Sequence, residues 1–181
     1  MAVTLAVLLS LCFGAADQYA GSLSAHPWAA DVSLLSAPWL VLAFLAGWSQ
    51  RRPERAALLG LVCTVAALVG YGLMTLSPIE NAHLTARSAT AFAVSEQRVF
   101  IGALVTGPLF GWLGNRWRTR RAWAGALLVA AALCLEPAVH AVNVRRVGLA
   151  EVAVGMAMAI YVAVATRSRR ADSNRGPFHY E

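Results

Sequence analysis

The sequence predicts an all-α integral membrane protein of about six transmembrane helices, with both termini cytoplasmic. Three observations carry that expectation. Of the 181 residues, 59% are hydrophobic and only 13% charged, too apolar for an ordinary water-soluble domain. The apolar residues gather in stretches long enough for helices of about 20 residues, the length that crosses a bilayer. The charges sit in short runs between those stretches, as the positive-inside rule requires. A transmembrane helical domain over residues 1–166 and a disordered, basic cytoplasmic tail over 167–181 follow from this layout.

The first span runs from about Ala2 to Tyr19. Gly14-Ala-Ala16 resembles a leader cleavage site, but no positively charged segment precedes the apolar run, so it reads as a retained helix. The connection from Gln18 to Ser33 contains His26, Trp28 and Asp31 and no arginine, which places it outside. The second span covers about Leu34 to Trp48, with Pro38 near its start, where a missing N–H costs least. Arg51-Arg-Pro-Glu-Arg55 then makes a tight cytoplasmic turn into the third span, about Ala56 to Ser77.

Pro78 to Arg98 is a longer mixed segment holding Glu80, Asn81, His83, Arg87 and Glu96. Its apolar part, Ala89 to Val94, suits either the membrane interface or an outward extension of the next helix. The fourth span, about Val99 to Asn115, carries Gly107-Pro108 and a Gly107-xxx-Gly111 spacing that lets a neighbouring helix come close. Arg116-Trp-Arg-Thr-Arg-Arg121 is the strongest cytoplasmic cluster. The fifth span covers about Ala122 to Val142 and the sixth about Val147 to Thr166. On this topology eleven arginines lie inside and four outside, which orients the chain.

The formal net charge of +6 does not make this a nucleic-acid-binding chain. All 15 basic residues are arginine, which fits the codon use of a G+C-rich bacterial genome, and no groove-reading motif accompanies them. Cys12, Cys63 and Cys134 fall within apolar stretches and read as small hydrophobes, not as disulfide partners or ligands. No metalloprotease, paired-cysteine or calcium-loop motif suggests a metal or cofactor, and no nucleophile elbow suggests a serine hydrolase.

The candidate chemistry lies in the outer halves of the spans. Glu136 and His140 are four residues apart and share a helix face, with Pro137 between them freeing the carbonyl of Leu133. Glu151, early in the sixth span, lies at a depth similar to Glu136, roughly 6 and 9 Å below the respective helix ends. Asp17 at the end of the first span and Tyr71 in the third complete an outer polar basin. Ionisable residues at membrane depth are costly and mark functional sites by default. The expected ligand-binding residues are therefore Glu136, His140, Glu151, Asp17 and Tyr71, and the expected ligand is a small polar or cationic solute. The alternative is that the carboxylates only pair with Arg98, Arg145 or Arg146 across short outer turns.

Two resemblances bear on these residues. Ala37-Pro-Trp39 opening a span that closes Gly47-Trp48 before an arginine turn is similar to an uncharacterised family of small bacterial multi-pass membrane proteins. The layout of about six spans, a tight inner hairpin and a long outer first loop also resembles the substrate-binding S subunits of energy-coupling-factor transporters. That resemblance implies a vitamin or metal ion bound from outside and docking on a membrane partner subunit, through an Ala-xxx-Ala pattern that here is Ala2 and Ala6.

The expected function is thus a non-enzymatic, multi-pass protein of the bacterial plasma (inner) membrane, embedded in the lipid bilayer, that binds a small solute as part of a transport system. An accessory membrane protein without a ligand is the competing reading. An intramembrane enzyme using Glu136 and His140 as acid and base stands third.

Overall fold

A computed structural model describes residues 2–23, 25–120, 123–139, 152–162 and 164, and among them every regular element is a helix. Helix α1 covers Ala2–Ser22, α2 Pro27–Ser33, α3 Ala37–Trp48 and α4 Pro53–Thr75. After a single 3-10 turn at Pro78–Glu80 come α5, Ala86–Ser95, α6, Gln97–Arg120, and α7, Ala124–Val139. The last described helix, α8, is Val152–Val162. Among the described residues, two helices, α1 and α4, are long and apolar enough to cross a membrane.

Local chemistry explains the boundaries. Pro27, Pro38 and Pro53 each stand in the first turn of their helix, where the missing N–H has no partner to lose. The 3-10 turn ends at Asn81 in the left-handed region, φ 56°, which asparagine tolerates better than most residues. Thr85 and Ser88 form a capping box at the start of α5: each hydroxyl accepts from the other residue's backbone N–H.

Two expectations shift in detail. The second span was placed at about Leu34 to Trp48, but α3 begins only at Ala37, and its 12 residues rise about 18 Å. The preceding loop folds into α2 instead. Secondly, the fourth span is expected over about Val99 to Asn115, whereas the helix that carries it, α6, runs on through the arginine cluster to Arg120. Arginine is a good helix former, and cations at a helix C-terminus are favoured by the dipole.

Small residues set the packing. α1 lies antiparallel against α4, with Gly14 on the Ala67 carbonyl and Gly70 on the Leu11 carbonyl, each leaving no room for a methyl group. α6 crosses both α3 and α4 through the Gly107-xxx-Gly111 pair: Gly111 meets Gly47 and Gly60, and Gly107 meets Gly60, Leu61 and Thr64. The expected close approach at this spacing is therefore present. Pro108 lies inside α6, which continues past it as one helix. Beside this seam, Phe44, Leu113, Ala126, Val129, Leu133 and Val162 form a core joining α3, α6, α7 and α8. A second cluster, Ala46, Leu59 and Cys63, takes Ala6 and Val7 of α1. Large apolar side chains point outward instead, among them Leu58, Val62, Val69 and Leu73 on α4 and Ile101, Leu104 and Val105 on α6. Cys12, Cys63 and Cys134 are all free thiols; Cys63 is buried and Cys12 exposed.

Candidate functional site

The end of α1, the α2–α3 connection, the second half of α4 and the α5–α6 corner enclose a cavity of about 380 Å³. Each element contributes one chemically distinctive side chain. Asp17 comes from α1, Trp39 from α3, Tyr71 from α4, Phe92 from α5 and Glu96 from the corner. Leu35, Leu68, Val99 and Ala103 supply apolar wall, and Thr64 and Thr106 add hydroxyls to it. Both threonine hydroxyls donate to carbonyls of their own helices, at 2.8 Å to Gly60 and 2.9 Å to Gly102. Their remaining lone pairs are free to accept.

The aromatic side chains are mutually braced. Phe13 meets Trp39 edge-on at 5.5 Å between centroids, Trp39 meets Tyr71 at 6.2 Å, and Tyr71 meets Phe92 at 6.2 Å. Phe92 continues to Phe100 at 6.2 Å. All these separations lie in the range where edge-to-face and tilted aromatic pairs attract. Gly72 makes space for this chain, since a Cβ there would come within 2.8 Å of the Phe92 ring.

The electrostatics are one-sided. Trp39 is the side-chain hydrogen-bond partner of Asp17, and because indole can only donate, the carboxylate accepts. Tyr71 stands in the field of Glu96, Asp17 and Glu80 together. One carboxylate oxygen of Glu80 is buried without a hydrogen-bond partner among the described residues. No arginine or histidine is among the described residues lining the cavity. The carboxylates are spread round an aromatic wall rather than gathered: no described group of three or more His, Cys, Asp or Glu side chains is placed to hold a metal ion.

Of the five residues expected from the sequence, the structure brings together Asp17 and Tyr71. Glu136 is carried by α7, but its side chain lies outside the described residues, as do His140 and Glu151. No described residue of α7 lines the cavity. Three lining residues were missed: Trp39, Phe92 and Glu96. Their signal in the sequence is a combination, an aromatic residue next to the helix-opening Pro38 and a short apolar run, Ala89 to Val94, with an acid, Glu96, two residues beyond it.

No curated protein and no solved structure matches the chain. A match to a family of unknown function, DUF6518, extends over residues 1–174. With nearly the whole chain matched, the protein belongs to this uncharacterised family, DUF6518.

Proposed function

We propose that the chain is a six-span plasma-membrane protein with cytoplasmic termini that binds a small organic cation in its outer half, as the solute-binding component of a transport system. The observation that carries this reading is the cavity that sets Asp17 and Glu96 among Trp39, Tyr71 and Phe92, with no cation among the described residues that line it. Carboxylates attract a positive charge, and aromatic faces stabilise one by about 0.5–2 kcal/mol each, most strongly when it is stripped of water. An ammonium head with methyl or methylene groups answers both kinds of wall. A volume of about 380 Å³ suits a small metabolite.

The six-span part of the reading is supported by the outward faces of the remaining helices. Beyond α1 and α4, the exposed Leu104 and Leu109 of α6, Leu127, Leu128 and Leu135 of α7, and Val154, Met156 and Ile160 of α8 present apolar side chains. Water would penalise patches of that size, and acyl chains would not. Small residues inward and large apolar residues outward is the pattern of helices packed within lipid.

The test is a titration of the detergent-purified chain with choline and with its uncharged carbon isostere, followed by tryptophan fluorescence. Choline should produce a saturable change and the isostere none. Asp17→Asn and Glu96→Gln keep shape while removing charge, and each should weaken binding by about tenfold or more, through loss of a coulombic attraction sheltered from water. An equal response to the isostere, or unaltered affinity in both variants, would sink the cation site and leave the accessory-protein reading.

A further inference from the structure

We propose that the cleft at the opposite end of the bundle binds a phosphate ester, the anion that a phospholipid headgroup carries. Arg51 on the α3–α4 turn forms one wall, and Trp112, Arg116, Thr119 and Arg120 on α6 form the other, around a space of about 590 Å³. Three guanidinium groups from two elements converge there and no acidic side chain lines it. Glu54, the nearest acid in sequence, is exposed on the first turn of α4 and is not part of the wall.

The arginines of this end are of two kinds. Arg118 is engaged within the protein: its guanidinium donates to the carbonyls of Trp48 and Ser49 at 3.1 and 2.8 Å and lies over the Trp48 ring. It caps the orphan carbonyls at the C-terminus of α3. Among the described residues, Arg51, Arg116 and Arg120 have no hydrogen-bond acceptor. Arg116 is nonetheless held in place, 4.6 Å over the Trp112 ring. The other polar side chains are committed, Thr119 to the Asn115 carbonyl and Asn115 to the Gln50 carbonyl. The fork of Arg116, held over Trp112, and the exposed forks of Arg51 and Arg120 beside it offer paired N–H donors that match a phosphate oxygen pair. The cleft also abuts the start of α4, a 23-residue helix with no side-chain cap, whose N-terminal pole adds to the positive field.

The order of residues along α6 favours an amphiphile as the source. Val105, Leu109, Trp112, Arg116 and Arg120 follow one another at helical spacing on a single stripe, with Val105 and Leu109 exposed. Apolar, then indole, then guanidinium is the sequence met on passing from acyl chain through the interfacial belt to headgroup.

The detergent-purified full chain would be titrated separately with short-chain phosphatidylglycerol, short-chain phosphatidylcholine and glycerol phosphate, with binding read by native mass spectrometry. Phosphatidylglycerol should be preferred over phosphatidylcholine, and Arg116→Gln with Arg120→Gln should lower its apparent affinity by about tenfold, the loss of one or two charge-assisted hydrogen bonds. Arg52→Gln with Arg55→Gln removes the same charge from the neighbouring turn outside the cleft and should change affinity by less than about twofold. Arg51→Gln alone leaves α6 intact and should still cause a severalfold loss if the double variant fails to fold. Phosphatidylglycerol binding without glycerol phosphate binding identifies a lipid site; equal binding of both identifies a soluble phosphate ester at the same residues. Equal losses in the two double variants, or no preference over phosphatidylcholine, would overturn the proposal.

Discussion

The side-chain amide of Asn115 donates to the main-chain carbonyl of Gln50 at 2.7 Å, joining α6 to the turn that follows α3. Asn115 is only 2% exposed. Leaving the partly buried Gln50 carbonyl without its donor costs about 1 kcal/mol or more, so Asn115→Leu should lower the thermal midpoint in detergent. Asn115→Gln, which keeps the donor but lengthens the arm, should recover part of it. A midpoint unchanged by Asn115→Leu would mean that water or another group satisfies Gln50.

The glycine seam gives a sharper contrast. Gly111 faces the Ala56 carbonyl and the Gly60 Cα, whereas Gly102, on the same helix, has nothing within 4 Å of where a Cβ would stand. Gly111→Ala should therefore destabilise the bundle by about 1–3 kcal/mol through overpacking. Gly102→Ala should stabilise it by about 0.5–1 kcal/mol through helix propensity. Thermal unfolding of the two variants side by side checks the sign of each.

Helix α5 has no buried residue, and its start depends on the Thr85–Ser88 box. Thr85→Ala removes a cap worth about 1 kcal/mol. Hydrogen exchange over residues 86–95 should accelerate severalfold with little effect on α4. Because Phe92 lines the cavity, affinity for a cationic probe should fall in step. Faster exchange with unaltered affinity would separate α5 from the site.

Topology has its own check. Reporters fused after Arg55 and Arg121 should read cytoplasm, and one fused after Arg87 should read outside. An outside signal after Arg121 would contradict the arginine asymmetry on which the orientation rests.

The sequence made some of these relationships legible and concealed others for physical reasons. The Gly107-xxx-Gly111 spacing was readable because a small-residue ridge has one main use between apolar helices, and it does meet α3 and α4. Asp17 and Tyr71 were readable because polar groups at depth are expensive, and both line the cavity. Glu96 was present in the reading only as part of a mixed loop. Its role depends on α5 turning Phe92 towards Tyr71, a tertiary relationship that no spacing encodes. Trp39 was noticed as a helix-opening residue, since an aromatic residue near a membrane end ordinarily needs no ligand to explain it. The continuation of α6 through Arg116, Arg118 and Arg120 was not legible from hydropathy, which marks only the apolar stretch, and it follows from the helix propensity of arginine. The pair Glu136 and His140, which stood out most in the sequence, lies where its side chains are outside the described residues.

Thr64 joins the two halves of the molecule: its hydroxyl lines the cavity and stands 3.0 Å from the place a Cβ on Gly107 would take. Directly beneath it, the α4 and α6 backbones touch through Gly60, Gly107 and Gly111. Among the described residues, the floor of the cavity at Thr64 is thus backed by main chain. On the proposed reading, a solute held beside Asp17 would rest on this main-chain contact, and carrying it further would require a partner that parts α4 from α6.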